Sequence, residues 1–134
     1  AGRQVHAHTG RVVVAAAAAV VASDVVSILV DGTVTPLTTV NASVGSAIGF
    51  AQTAIANGSF GWVALRGPNL QVNVLAACAP EVMLFTTATA GFLDDATVTL
   101  GLVVGVMTQA AATSNATAHT AICAYPHISR HLMA

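Results

Sequence analysis

Residues 48–95 read IGFAQTAIANGSFGWVALRGPNLQVNVLAACAPEVMLFTTATAGFLDD. Short apolar runs alternate there with Asn57-Gly58, Gly67-Pro68 and Ala90-Gly91, the pattern of several short strands joined by tight turns. Leu70-Gln71-Val72-Asn73-Val74 alternates apolar and polar residues with a period of two, which predicts a half-buried strand. Phe60–Leu65 predicts a second strand, closed by a turn at Arg66-Gly67-Pro68-Asn69, and Val82–Thr86 a third. The same stretch holds the only Trp (Trp62), the only Glu (Glu81) and Cys78, one of two cysteines. The expected fold class is all-β: a compact single-domain β-barrel or β-sandwich of short antiparallel strands, with jelly-roll and β-clip-like arrangements as alternatives.

Outward from this stretch the punctuation continues. Before it, Val12–Val21 is read as a strand followed by an Ala-rich link, because Val12-Val13-Val14 and Val20-Val21 are β-branched and no helix cap precedes them. Ser23-Asp24 is a turn, Val25–Val30 a strand, and Asp31-Gly32 a hairpin signal of type I′. Pro36 suggests an edge position. Thr38–Val44 reads as a loop with a short strand, and Ala47–Gln52 as a strand. After the stretch, Val98–Thr108 is a strand region with Gly101 and Gly105 as candidate bulges. Ala110–Ala118 reads as a loop and Thr120–Tyr125 as the last strand, ended by Pro126. The organisation expected is an extended N-terminal arm over 1–11, one β-domain over 12–126 and a C-terminal tail over 127–134.

The chain carries a weak internal repeat. Ser23–Val26, Asp31–Val34 and Ile48–Ala51 match Pro80–Met83, Ala90–Leu93 and Val104–Met107 at offsets of 57, 59 and 56 residues. Each series is followed by one more strand, Gly61–Leu65 or Thr120–Ala124. Two related β-halves wrapping into one closed unit would remove exposed sheet edges.

Composition narrows the function classes. The 134 residues are 55% hydrophobic but only 7% charged, against a typical charged share of about 25%. There are four Arg, no Lys, four Asp and one Glu, for a formal net charge of −1. Little charge repulsion keeps such a chain dispersed, so it is expected to live inside an assembly. Four dispersed arginines form no basic stripe, which argues against nucleic acid as a partner. The apolar run Val12–Ala22 is too short to span a bilayer, which takes about 20 residues, so no membrane partner is expected. The start of the chain, with His6, His8 and Arg11, lacks a signal-peptide layout.

Candidate sites are few, and each has a plain structural reading beside it. Cys78 and Cys123 could pair; two buried free thiols is the favoured reading. His6-x-His8 has no third ligand nearby. His119, Cys123, His127 and His131 would suit a zinc set on one helix, yet this segment reads as a strand. Asp31, Asp94 and Asp95 could serve Ca²⁺, but fit turns that cap backbone amides. Trp62 could stack on a sugar, or belong to the core. Asn41, Asn57 and Asn115 open Asn-X-Ser/Thr triplets that matter only in a secretory protein. No catalytic, cofactor-binding or metal residues are assigned, and no cofactor or small-molecule substrate is expected.

A resemblance adds a specific function. Gly49-Phe50-Ala51-Gln52-Thr53-Ala54, Gly61-Trp62-Val63-Ala64-Leu65-Arg66-Gly67-Pro68, Thr86-Thr87-Ala88-Thr89-Ala90-Gly91 with Asp94-Asp95, and Val104-Gly105-Val106 occur in that order. In that order they resemble the small head-decoration, or cement, proteins of tailed bacteriophages, over about Val20 to Tyr125. The resemblance implies a compact β-barrel or β-sandwich that binds the outer surface of a phage capsid as a homotrimer and stabilises it. Its partners would be the major capsid protein and itself, its location the virion after synthesis in the host cytoplasm, and its catalytic residues none. The terminal segments would contact the shell or the neighbouring protomer. A carbohydrate-binding β-module built on Trp62, and a phage tail or fibre subunit, are the alternatives.

Overall fold

The computed structural model describes residues 10–111 and 116–130 of the chain. Ten strands follow one another: β1 (Arg11–Ala16), β2 (Val25–Ile28), β3 (Thr33–Pro36), β4 (Ala47–Ala51), β5 (Phe60–Ala64), β6 (Arg66–Val74), β7 (Leu84–Thr86), β8 (Phe92–Asp94), β9 (Leu102–Thr108) and β10 (Ala116–Ser129). Among the described residues there is no helix, so the fold is all-β.

The first five strands close into a barrel. β1 pairs with β3 and β5, β2 with β3 and β4, and β4 with β5. The other five lie outside this barrel and form a second closed circuit of pairings: β6 with β8 and β10, β7 with β8 and β9, and β9 with β10. The two circuits have the same order and the same directions. In each, the first and third strands run parallel and every other pair is antiparallel.

The ladder registers define which residues correspond. Ala15 and Ala16 face Thr33 and Val34 as Asn73 and Val74 face Phe92 and Leu93. Ile28 faces Val34 as Thr86 faces Leu93. Inward-facing positions match accordingly. Val14, Ala16, Val26, Val34 and Val63 fill the first half, and Val72, Val74, Leu84, Leu93 and Ala121 the second, all buried. The two halves of the repeat are thus one fold built twice. The Asp31–Val34 match to Ala90–Leu93 is in register. The Val25-Val26 match to Val82-Met83 is one residue short, since the ladders pair Val26 with Leu84. The Ile48–Ala51 match is shifted by two, because β9 faces β7 through Leu102 and Val103.

Several local expectations are corrected. Asp31-Gly32 is not a type I′ turn: the Leu29 N–H donates to the Thr33 carbonyl and the Gly32 N–H to the Leu29 carbonyl. Of Asp31 and Gly32, only Gly32 has positive φ, at 84°. This is the three-residue loop ending in a left-handed residue. Arg66-Gly67-Pro68-Asn69 is not a turn but the start of β6, bent by Gly67 (φ 136°) and Asn69 (φ 56°). Leu65 alone separates β5 from β6, so the chain passes directly from one half into the other. Thr38–Val44 holds no strand. Pro126 does not end the last strand, because Tyr125 takes a left-handed φ of 49° and absorbs the irregularity as a bulge. The chain then continues, with His127 facing both Ala47 and Val104, and Ile128 exchanging backbone hydrogen bonds with Gly45 and Ser46. Residues 127–129, expected in the tail, are therefore strand. The expected bulge at Gly105 is present, with φ 87° and a register shift opposite Cys123–His127. The arm over 1–9, its pair His6 and His8, Asn115 and His131 lie outside the described residues.

Candidate interaction surface

The two halves meet over a buried face. In the first half that face is the outer side of β2, β4 and β5: Val25, Ile48 and Phe50 are fully buried and Ala64 nearly so. Val25, Leu37, Ile48 and Phe50 join the second half's core in one apolar cluster. Two polar pairs flank it. The Asn73 Nδ2 donates to Asp24 Oδ1 at 3.0 Å, and Asp24 Oδ2 accepts the Val21 N–H at 3.0 Å. The Gln52 side chain bridges the backbone of Gln71, its Nε2 donating to the carbonyl and its Oε1 accepting the N–H, both at 3.0 Å. Burial pushes the Asp24 carboxyl above the usual carboxylate range, against its hydrogen bonds from Val21 and Asn73. Asn73 Oδ1 is buried without a partner.

Outside the junction two apolar areas are open. One lies on the first half, where Val13 and Trp62 face each other across β1 and β5 and Phe60 stands opposite Ala15. Phe60 is 76% exposed and Trp62 42%. Trp62 is therefore not a core residue. The core of this half is filled by smaller side chains such as Val14 and Val63, which leaves the indole outside. Beside it, Arg11, Gln52, Thr53, Trp62, Ala64 and Leu70 line a recess of about 350 Å³. The other area lies on the second half, where Met107 and Ile122 face each other across β9 and β10 and Met83 stands 55% exposed. Glu81 is the charged residue lining the adjoining groove, with Met83, Val104 and Met107.

The remaining sequence candidates are placed as follows. Cys78 and Cys123 are free and buried. Burial raises the Cys78 thiol to about 11, helped by the charges of Asp95 and Asp94, and burial alone raises Cys123 to about 12. His119 Nε2 lies 2.6 Å from the Ala110 carbonyl, and His127 is exposed at the far end of β10. Asp31 accepts both the N–H and the hydroxyl of Thr33, which lowers its pKa. Asp95 caps the Ala79 N–H at 3.1 Å. Burial raises the Asp94 carboxyl, whose Oδ1 has no partner. Among the described residues no three His, Cys, Asp or Glu side chains are grouped to hold a metal ion. The sequence reading missed Asp24, which it placed in a turn. The repeat gave no signal: read from sequence it matches Asp24 with the equally acidic Glu81, and only the ladder register puts the apolar Val82 in its place.

No family model matches the chain, and neither a curated protein nor a solved structure was found that is similar to it.

Proposed function

We propose that the chain is a virion structural protein, a decoration protein that binds the outside of a phage head as a homotrimer. The observation that carries this reading is the pair of open apolar areas, around Trp62 and around Met107, on a chain with only 7% charged residues. Single exposed apolar side chains need no explanation, but grouped ones mark sites of association. The ordered motifs of the phage cement proteins support the same reading. Their residues fall on β4 to β9 and on the loops after β4 and β7. The partners are the major capsid protein and further copies of this chain; no catalytic role is assigned. The test is co-sedimentation of the purified chain with phage heads stripped of decoration. Saturable binding with increased resistance of the heads to heat is the expected result. Absence of binding across the whole concentration range sinks the reading.

A second reading is favoured by one observation, the recess beside Trp62. A half-exposed indole next to Arg11, Thr53 and the immobilised Gln52 amide offers a stacking face and polar groups to a saccharide. Titration of Trp62 fluorescence with a panel of mono- and oligosaccharides separates the two readings. A saturable change supports the sugar module, and a flat response dismisses it.

A further inference from the structure

The internal repeat assigns a partner to each open apolar area. Corresponding positions can be compared half against half. The face that the first half buries at the junction is Val25, Ile48, Phe50 and Ala64. Ile48 corresponds to Leu102, which is half-buried. By ladder register, Val25 corresponds to Met83, one residue before the Val26–Leu84 match, and Ala64 corresponds to Ile122, next to the Val63–Ala121 match. Phe50 faces both Val25 and Ala64. Its place in the second half is spread across the Gly105 bulge onto Val104 and Met107. Val25 and Phe50 are 0% exposed, whereas Met83 is 55% and Met107 and Ile122 are each 39% exposed. The second half therefore presents, uncovered, the face that the first half buries.

The complementary face behaves the same way. The second half meets the first through Gln71 and Asn73, whose counterparts in the first half are Val13 and Ala15. Thr120, opposite Gln71, corresponds to Trp62, opposite Val13. Asn73 is buried; Val13 is 46% exposed, and Trp62 and Phe60 stand open beside it. Each half has a face that receives and a face that is received, and each end of the molecule has one of them unused.

Chemistry distinguishes the used pair of faces from the unused pair. At the internal junction the flanking contacts are polar, Asp24 with Asn73 and Gln52 with Gln71. At the side-chain pair the matching unused positions are apolar, Val82 for Asp24 and Ala15 for Asn73. The Gln52 contact is to the main chain of Gln71 and its matching positions, Gln109 and Val13, do not bear on this. An apolar residue has thus replaced a hydrogen-bonding one on each unused face, and two such faces are suited to each other.

We infer that copies of this chain join head to tail, the Met83–Met107–Ile122 face of one docking on the Val13–Phe60–Trp62 face of the next, in a contact that repeats the internal junction. The contact is heterologous: two different surfaces meet, and the series closes into a ring or grows without end. The number of copies rests on the homotrimer proposed above, in which three chains give a ring of six similar halves. The surfaces themselves do not depend on the capsid.

The experiment uses two variants of the full chain. Met83→Asp/Met107→Asp disables the second-half face, and Phe60→Asp/Trp62→Asp the first-half face. All four side chains are exposed, and circular dichroism with thermal melting checks that both variants keep the fold. Native mass spectrometry is expected to give a closed oligomer for the unchanged chain and monomers for each variant alone. An equimolar mixture of the variants is expected to give a one-to-one dimer and nothing larger, because one intact face of each kind remains. A variant that forms dimers by itself would show a contact of like faces and overturn the inference. So would a monomeric parent chain at 100-fold dilution steps up to the highest soluble concentration, or a mixture that stays monomeric. Dimer formation in the mixture combined with no binding to phage heads would leave this contact standing and remove the capsid reading.

Discussion

The Asn73 amide donates to the Asp24 carboxylate at 3.0 Å across 49 residues of sequence, tying the first half of the chain to the second. The same carboxylate accepts the Val21 N–H, so both of its oxygens are engaged. Its environment is buried, and burial pushes the pKa above the ordinary carboxylate value, against the hydrogen bonds from Val21 and Asn73. For such a group the sign is opposite to that of a salt-bridged aspartate. The folded state binds the proton more tightly than the unfolded chain, so this contribution is fully present below the ordinary value of 3.8 and is lost as pH rises through the raised folded value.

Asp24→Asn is therefore expected to flatten the acid side of the stability profile. In the parent chain, lowering the pH from neutral towards 4 should raise the urea midpoint through Asp24. In the variant that rise should shrink. With the Asn73 amide flipped, the new amide can accept from Val21 while donating to Asn73 Oδ1, which has no partner in the parent, in exchange for the bond from Asn73 Nδ2. Asp24→Ala leaves the buried Asn73 amide unpaired and is expected to cost about 1–3 kcal/mol. Urea unfolding of both variants at pH 4.5 and pH 7.5 checks the pair. Equal stability of the Ala and Asn variants would contradict the role given to Asp24.

Gly91 and Gly32 correspond in the repeat and both have φ near 80°. A Cβ on Gly32 meets nothing within 4 Å, while one on Gly91 would lie 2.2 Å from Asp24 Oδ1. Gly32→Ala is expected to lose only the left-handed penalty, about 1–2 kcal/mol. Gly91→Ala should lose clearly more, and the excess should fall when Asp24→Ala is added. A double-mutant cycle by chemical unfolding measures that coupling.

The two thiols are expected to be inert in the folded chain. With Cys78 raised to about 11 and Cys123 to about 12, and both buried, the reactive thiolate is scarce at pH 8. Iodoacetamide followed by intact mass should show no added mass in buffer and two additions in 6 M guanidinium. Rapid native labelling of either residue would contradict the packing around it.

Trp62 reports on association. Half-exposed in one copy and covered by a neighbour's Met107 face, it should emit to the red on dilution of the protein. Acrylamide quenching should strengthen over the same concentration range. Emission independent of concentration, in a sample whose oligomers dissociate, would place Trp62 away from the contact.

The strands were legible where period and punctuation agree. Leu70–Val74 alternates because Val72 and Val74 point inward while Gln71 and Asn73 face the first half. The repeat was legible at Asp31–Val34 and Ala90–Leu93, where a glycine opens a strand in both halves. It slipped at β4 and β9 because the place of Phe50 is split in the second half between Val104 and Met107, on either side of Gly105, which sequence matching cannot assign. Pro126 misled for a related reason: proline normally stops a ladder, but a left-handed Tyr125 just before it lets β10 continue to Ser129. Large aromatics usually belong to a core, but the alternation of β5 points Val63 inward and Phe60 and Trp62 outward, and the local sequence does not say which face is covered. Asp24 looked like any Ser-Asp turn. Its partner lies 49 residues away, and only the folded chain brings them together.

The single-residue joint at Leu65 sets an order of events during synthesis. Every strand pairing that closes the first barrel lies within residues 11–64. That barrel can thus close on the ribosome before the second half has left the tunnel. Until β6 and β10 arrive, the nascent first half presents Val25, Ile48 and Phe50 to solvent, a greasy surface of the kind that chaperones hold. Its natural cover is the rest of the same polypeptide, delivered next and from one residue away, so translation itself favours the intrachain contact over capture by a neighbour.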